Sequence, residues 1–202
     1  MSCYKKNILF ENGRSMIEMI GVLAVIGVLS ASALAGYSKA MLKYRLNKQW
    51  QQITSILTSI NTNQAVLDSI NKSSYTYLTP ILISTGSIPQ EMIKGNERQY
   101  IYDSFKNQIG VAAFTSDKPY MYMFIYLKRE NIESCANIHK LAQEGSDFIN
   151  YIATTAGTYW GDNDCSPNKK CLKDITMENI ISDCNKIQKA TSSGPNITIY
   201  WY

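Results

Sequence analysis

A single carboxylate stands in a long apolar stretch near the start of the chain. Glu18 is the only charged residue between positions 16 and 35, where the other side chains are apolar or small. A charge near the centre of a bilayer costs up to about 3 kcal/mol on insertion scales, so a carboxylate kept there indicates a partner that neutralises it. Glu18 is therefore predicted to be functional.

Four further residues offer thiol chemistry in the second half of the chain: Cys135, Cys165, Cys171 and Cys184. An even number of cysteines outside the apolar stretch favours disulfides over metal ligation, and four cysteines allow three pairings. Cys165 and Cys171 flank the turn-rich sequence SPNKK, which can close on itself. Cys135 and Cys184 could tie a predicted helix to the C-terminal region. We predict these two pairs.

Other reactive groups point to weaker hypotheses. Cys135 and His139 are spaced i, i+4, which suits a metal pair or an activated thiol, but a disulfide and a solitary surface histidine explain them better. Residues 162–164, Asp-Asn-Asp, could bind Ca²⁺, yet they lack the later Glu of a calcium loop and favour a turn. Trp160 and Trp201 are expected in the core. The sequence predicts no catalytic site, metal or cofactor, and therefore no enzyme.

The charge balance argues against a nucleic-acid partner. The 20 basic and 16 acidic residues give a net charge of +4, and the basic residues form no stripe. No specific nucleic-acid binding is predicted from so weak and dispersed a charge. The length beyond the helix described next suits one domain core.

Glu18 is predicted to lie in a long helix. No proline occurs between Gly13 and Pro80, so one helix of about 50 residues is permitted. Its apolar first half is long enough to span a bilayer of about 30 Å. Residues 37–66 are amphipathic, with an apolar face of Leu42, Leu46, Trp50, Ile53, Leu57 and Ile60. The opposite face is predicted to carry Lys43, Arg45, Lys48, Gln51 and Gln52.

Three glycines interrupt the apolar half of the helix: Gly21, Gly27 and Gly36. Small residues let neighbouring helices approach closely, which is the favoured interpretation. The alternative is that the helix melts locally around Gly27 when subunits pack, since glycine costs up to about 1 kcal/mol in a helix interior.

The remainder of the chain is predicted to be mixed α and β. Residues 79–84 and 91–94 are short helical pieces around a turn at Gly86 and Pro89. Strands are expected where aromatic and aliphatic residues partly alternate between turn-forming residues, at 98–102, 109–114, 120–126 and 196–202. A further helix is expected at 130–143.

The N-terminal sequence NGRSMIEMIGVLAVIGVLSASALAG, preceded by a short basic leader, resembles the type IV prepilin family. The resemblance implies a peptidase that cuts after Gly13 and methylates the new N-terminal residue, Arg14. It also makes Glu18 the conserved-type glutamate at the fifth mature position. Most members of the family begin with Phe, Met or Leu after the cut, so Arg14 is a departure.

The segment YTYLTPILISTGSIPQEM, the strand pair, the helix with a cysteine and the late cysteine before a terminal strand resemble type IVb pilins. This resemblance implies an α+β fold in which a long N-terminal helix packs on an antiparallel-sheet head. The expected segments are a leader at 1–13, a transmembrane or filament-core helix at 14–36, an amphipathic continuation at 37–66 and a globular head at 67–202.

The resemblance implies a structural subunit of an extracellular pilus that serves adhesion, aggregation or conjugation. Its partners would be further copies of itself, the prepilin peptidase and assembly machinery, and the bacterial inner membrane before assembly. A minor pilin or a pseudopilin of a secretion system is the alternative within the family. A different class, a secreted soluble binding domain, would require cleavage after Ala35 within Ala-Leu-Ala.

Overall fold

A computed structural model describes residues 16–62, 75–95, 98–114, 120–128, 131–190 and 196–201. The chain divides into two compact units, Met1–Lys43 and Tyr44–Tyr202. The boundary between the units falls within the first helix. The described part of the first unit consists only of helix, whereas the second unit contains the sheet and every other helix.

Helix α1 spans Met16–Thr62, which confirms the predicted long N-terminal helix. In the second unit it supplies the core through Ile53, Ile56 and Ile60, which are fully buried, and through Leu57. Their spacing of three and four residues places them on one side of the helix. Trp50 is half-buried and packs against the same core.

The rest of the second unit alternates short strands and helices. In chain order these are β1 (Thr76–Tyr77), α2 (Thr79–Ser84), a 3-10 turn (Gln90–Met92), β2 (Ile101–Tyr102), β3 (Gln108–Phe114), β4 (Tyr120–Tyr126), α3 (Ile132–Glu144), β5 (Tyr151–Thr154), β6 (Gly157–Trp160), a second 3-10 turn (Leu172–Asp174), α4 (Met177–Lys189) and β7 (Ile197–Trp201).

The strands form one antiparallel sheet of seven strands. The order across the sheet is β1-β3-β4-β7-β5-β6, and β2 pairs with the other end of β3. Strand β7 lies in the middle, where Tyr200 faces Tyr122 of β4 on one side and Tyr151 of β5 on the other.

One face of the sheet carries the core of the second unit. Ile109, Val111, Met123, Ile125 and Ile199 alternate along their strands and are fully buried together with the apolar side chains of α1. An antiparallel sheet can be covered on one side and solvated on the other. The fold is therefore α+β, with a long N-terminal helix packed on an antiparallel sheet, as predicted.

Most predicted elements are present, with shifted ends. β4 matches its predicted range, while the strand predicted at 98–102 is limited to Ile101–Tyr102. The piece predicted as helical at 91–94 is a 3-10 turn over Gln90–Met92, since Pro89 fixes the backbone just before it. Gly86 ends α2 with φ 71°, a conformation that favours glycine.

Strands β1, β5 and β6 and helix α4 were not predicted from the sequence. The helix carries a recognisable start signal, because Thr176 and Asn179 form a reciprocal capping box. Ile180, Cys184 and Ile187 then follow at helical spacing and are buried. These signals could have identified α4 from the sequence.

The structure joins the four cysteines in the two predicted pairs. Cys135 of α3 and Cys184 of α4 are bonded with their Cα atoms 5.9 Å apart, and both side chains are 2% exposed. Cys165 and Cys171 are bonded across a short loop with their Cα atoms 5.6 Å apart. The first disulfide ties two helices of the core together, and the second closes a local loop.

We expect the two disulfides to contribute unequally to stability. They are separated by 49 and 6 residues in sequence, so the chain-entropy relation assigns about 4 kcal/mol to the first and about 2 kcal/mol to the second. The double variant Cys135→Ser/Cys184→Ser should lose more unfolding free energy in urea than its matched control, Cys165→Ser/Cys171→Ser. Equal losses would contradict the expectation.

Candidate assembly site

The first half of helix α1 exposes an apolar surface. Every residue from 16 to 40 is exposed, including Met16 at 84% and Leu34 at 67%. Contiguous apolar surface of this size marks a site for lipid or for another protein. Nothing in the described part of the first unit covers it.

The same segment meets the requirements for a membrane span. Within the described residues, Met16–Thr62 is the one helix that is long and apolar enough to cross a bilayer, and its most apolar window is not buried. The length and composition of this helix are compatible with membrane association.

Glu18 lies in the first turn of α1, where a negative charge interacts favourably with the helix dipole. It belongs to the exposed apolar surface. Lys39 is the first basic residue after it along the described helix, roughly 30 Å further on at 1.5 Å per residue. The described part of the helix therefore brings no cation to the Glu18 carboxylate. The predicted processing residues, Gly13 and Arg14, lie outside the described residues.

The three helix glycines have no packing role within the described chain. A Cβ atom added to Gly21, Gly27 or Gly36 would meet no other atom within 4 Å. Their small size leaves shallow places on the helix surface, and this is compatible with the close approach of another helix.

A buried carboxylate organises the second unit. Asp103 is 4% exposed, and its Oδ1 accepts hydrogen bonds from the backbone N–H groups of Phe105 at 2.9 Å and Asn107 at 2.8 Å. Its Oδ2 accepts from Gln49 Nε2 at 2.6 Å and from Asn107 Nδ2 at 2.8 Å. Burial raises the pKa of Asp103 above its ordinary value, and the four hydrogen bonds oppose that shift.

The network continues into helix α3. Ser134 Oγ accepts from Gln49 Nε2 and Asn107 Nδ2, each at 2.6 Å. Asn137 Nδ2 donates to Gln49 Oε1 and to the Leu46 carbonyl oxygen, each at 3.0 Å. Gln49, Asn107 and Ser134 are completely buried. Helix α1, the turn between β2 and β3, and helix α3 are thus joined by one hydrogen-bonded cluster, which we call the Asp103 network.

Gln52 extends this contact, and its predicted place on the polar face of the helix is wrong. It is 4% exposed, accepts from the Ser104 backbone N–H at 2.9 Å, and donates to Glu91 Oε1 at 3.1 Å. Lys48 Nζ lies 3.2 Å from the same Glu91 oxygen. The hydrogen bonds from Lys48 and then Gln52 lower the pKa of Glu91. The helix can bury Gln52 because the turn after β2 supplies a matching donor, the Ser104 N–H.

A shallow groove of about 550 Å³ lies beside this contact. It is bordered by Tyr44, Asn47, Lys48, Gln51, Gln52, Ser55, Pro89 and Glu91. Its lysine and glutamate are already paired with each other. The lining contains no histidine, cysteine or second carboxylate that could form an acid–base or nucleophilic pair.

His139 is buried, and its predicted surface position is wrong. The ring is completely buried beside the Cys135–Cys184 disulfide, and Nδ1 donates to the Cys135 carbonyl oxygen at 2.9 Å. Burial lowers the pKa of His139 and favours the neutral ring. Nδ1 lies 3.7 and 3.9 Å from the two sulfur atoms. Because both sulfurs are in a disulfide, they are not available as thiolate ligands for a metal.

The other candidate residues fall in structural positions. Asp164 of the acidic turn accepts from Asn150 Nδ2 at 3.0 Å, so this turn is bound into the head by its own side chain. Trp201 is 4% exposed in the core, as predicted. Trp160 instead is half-buried on the open face of the sheet, where Lys169 Nζ lies 3.7 Å from its ring centre.

No protein-family model matches this chain, and no curated protein matches it. The candidate site must therefore be interpreted from its own geometry.

The raised pKa of Asp103 gives the head a defined pH dependence. Between the ordinary pKa and the raised one, the unfolded chain has released the proton that the folded chain still holds, so stability falls as the pH rises through this window. The variant Asp103→Asn lacks this pH-dependent contribution to stability. Its amide NH2 also replaces one carboxylate oxygen, so the two groups that donate to that oxygen lose their acceptor at a cost of about 1–3 kcal/mol.

In detergent, the wild-type chain should therefore have a larger unfolding free energy than the Asp103→Asn chain. This margin should narrow as the pH rises from acid toward neutral. The exposed acid Asp162 provides the control, since Asp162→Asn should not change this margin. A margin that widens toward neutral pH would show that Asp103 titrates below its ordinary range.

Proposed function

We propose that this chain is a structural subunit of a type IV, IVb-like pilus. It is cleaved after Gly13 by a prepilin peptidase, held in the bacterial inner membrane by the first half of α1, and then assembled into an extracellular filament. The observation that carries the proposal is the lone Glu18 in the first turn of a fully exposed apolar helix that continues into a disulfide-bonded α+β head.

The two halves of helix α1 support this interpretation in different ways. Residues 16–40 have no cover of their own, so they require lipid or other helices. The half beyond Tyr44 is fixed in the head by Ile53, Ile56 and the Asp103 network. A filament subunit needs both properties, because the apolar half must pass from lipid to neighbouring subunits while the head keeps its fold.

Glu18 would act by neutralising a cation of a neighbouring subunit. After cleavage the new α-amino group of Arg14 is such a cation, and an apolar setting screens the attraction poorly. The Arg14 guanidinium offers a second cation. A carboxylate left unpaired in the same setting would be costly, so the pair would select the correct axial position of each incoming subunit.

The alternative secretory cleavage after Ala35 fits the structure less well. Ala35 lies inside the continuous helix Met16–Thr62, so that cut would divide the helix. It would also leave Glu18 without a role.

The processing site is tested by N-terminal sequencing of the mature protein. The proposal expects Arg14 as the first residue. Gly13→Val should leave the uncut precursor in the membrane, because added side-chain bulk at the scissile bond blocks the peptidase. Mature protein that starts at Gly36 would refute the pilin proposal and support secretion.

The assembly role of Glu18 is tested by Glu18→Gln, which removes the charge and keeps the size. This variant should be cleaved and retained in the membrane at wild-type levels but should enter sheared fibres poorly when co-expressed with wild type. Ser32→Ala is the matched control, since Ser32 Oγ only donates to Val28 of its own helix at 2.9 Å. If Glu18→Gln forms fibres of normal number and length, the intersubunit role is wrong and the carboxylate acts only as a local charge at the start of the helix.

A further inference from the structure

The face of the sheet opposite the core is covered by aromatic side chains. We call it the aromatic face; its members are Tyr77, Tyr100, Tyr102, Phe114, Tyr120, Tyr122, Phe124, Tyr126, Tyr151, Trp160 and Tyr200. Neighbouring rings touch across six of the strands, β1, β3, β4, β7, β5 and β6. None of the seven described strands contains Asp, Glu, Lys, Arg or His. Phe124 is 3% exposed and the other ten members are half-buried. The strands thus give this face no charge, and its accessible part is rich in phenol groups.

Four of these rings stand in a row across the strands. Tyr122 stacks on Tyr200 at 5.4 Å between ring centres, and Tyr200 stacks on Tyr151 at 4.2 Å. The Tyr151 and Trp160 ring centres are 5.0 Å apart with the rings tilted by 41°, and Lys169 Nζ lies over the indole. The three tyrosine rings are stacked plane to plane, so this part of the row leaves mainly ring edges and hydroxyl groups for a partner. A nucleic-acid base or a sugar that stacks on aromatic rings needs free ring planes, which this row does not offer.

The other half of the face is fixed by a close approach of ring and backbone. Phe124 lies over Gly110 of the neighbouring strand, and a Cβ atom at Gly110 would overlap the ring. Tyr77, Tyr100 and Tyr126 contact the Phe124 ring edge to face, with centres 5.9 to 6.1 Å apart. Because these rings are already held in place before binding, little side-chain conformational entropy is lost when a partner covers them.

The chemistry of the face suits a copy of itself. A phenol hydroxyl is both donor and acceptor, so two tyrosine rows can hydrogen-bond to each other without any second type of group. The chain as a whole carries a net charge of +4, which repels other copies, whereas this surface adds no charge to a contact. Tyrosine and tryptophan are also the residues enriched in protein–protein contacts.

The size of the face is adequate for such a contact. The path of six strands is about 25 Å wide at about 4.8 Å per strand, which is the scale of a small specific interface. Sheets commonly bury an open face against a second sheet about 10 Å away.

We propose that the aromatic face is a self-association surface, on which the same face of a second copy packs sheet to sheet. This contact goes beyond filament assembly through α1, because it involves only the head. It would join heads of neighbouring filaments, or two chains that have not been assembled.

The two lysines at the margins of the face predict how the contact responds to salt. Lys94 Nζ lies 4.9 Å from the Tyr102 ring centre at one edge of the sheet, and Lys169 covers Trp160 at the other. Like charges at the rim of a self-contact repel, and salt screens them. Self-association should therefore strengthen or stay constant as salt increases, whereas binding of a polyanion would weaken.

The test measures association of the full chain in non-ionic detergent by sedimentation over a range of concentrations and salt. Tyr122→Lys/Tyr200→Lys places two cations in the middle of the face and should raise the dissociation constant by about tenfold or more. Tyr122→Phe/Tyr200→Phe keeps the rings and should weaken association less. Tyr44→Lys is the control, because Tyr44 is 58% exposed on α1, away from the sheet, and should behave as wild type.

Helix α1 is unchanged in the two Tyr122/Tyr200 variants, so any association through it contributes equally to them and to the wild type. The proposal does not require filaments, and failure of the pilus proposal would leave this test intact. The self-association proposal would be overturned if the Tyr122→Lys/Tyr200→Lys chain associates as the wild type does and has a normal melting temperature. A wild-type chain that stays monomeric but binds a short single-stranded oligonucleotide or a neutral oligosaccharide through Tyr200 would also overturn it.

Discussion

The Asp103 carboxylate is buried where three parts of the chain meet, and each part supplies donors to it or to its neighbours. Gln49 of helix α1 and Asn107 of the turn before β3 donate to Asp103, and Asn137 of helix α3 donates to Gln49. A buried charge without such donors would cost several kcal/mol, so the fold is acceptable only when all three parts are correctly placed. Apolar contacts tolerate small slips of a helix along a sheet, but this network does not. It therefore fixes which turn of α1 faces the head.

This constraint divides helix α1 into two halves with opposite needs. Beyond Tyr44 the helix buries Gln49, Gln52 and an apolar stripe in the head, whereas every residue from 16 to 40 is exposed. The exposed apolar half can therefore contact lipid or another protein without any change to the half that packs in the head.

The sequence was most informative where periodicity or composition alone decides structure. The long helix follows from the absence of proline and the spacing of Ile53, Leu57 and Ile60, and strand β4 follows from its alternating aromatic residues. Gln52 was misplaced because its burial depends on Ser104 and Glu91, which are distant in sequence. His139 was misplaced for a related reason, since the disulfide between α3 and α4 covers it. The hypothesis that Glu18 is functional rests on its isolation in an apolar stretch, a signal that needs no tertiary contact, and it stays a prediction.

Strand β7 occupies the centre of the sheet although it is the last strand in the described chain. It alone joins β4 to β5, so the pairs β3–β4 and β5–β6 remain separate hairpins until residues 197–201 are present. The head therefore cannot complete its sheet until residues 197–201 have been synthesised. By then nearly all of the described sequence has been made, and the exposed apolar half of α1 has long preceded it. Synthesis from the N-terminus thus presents the apolar surface before the head can fold, and strand topology imposes this order.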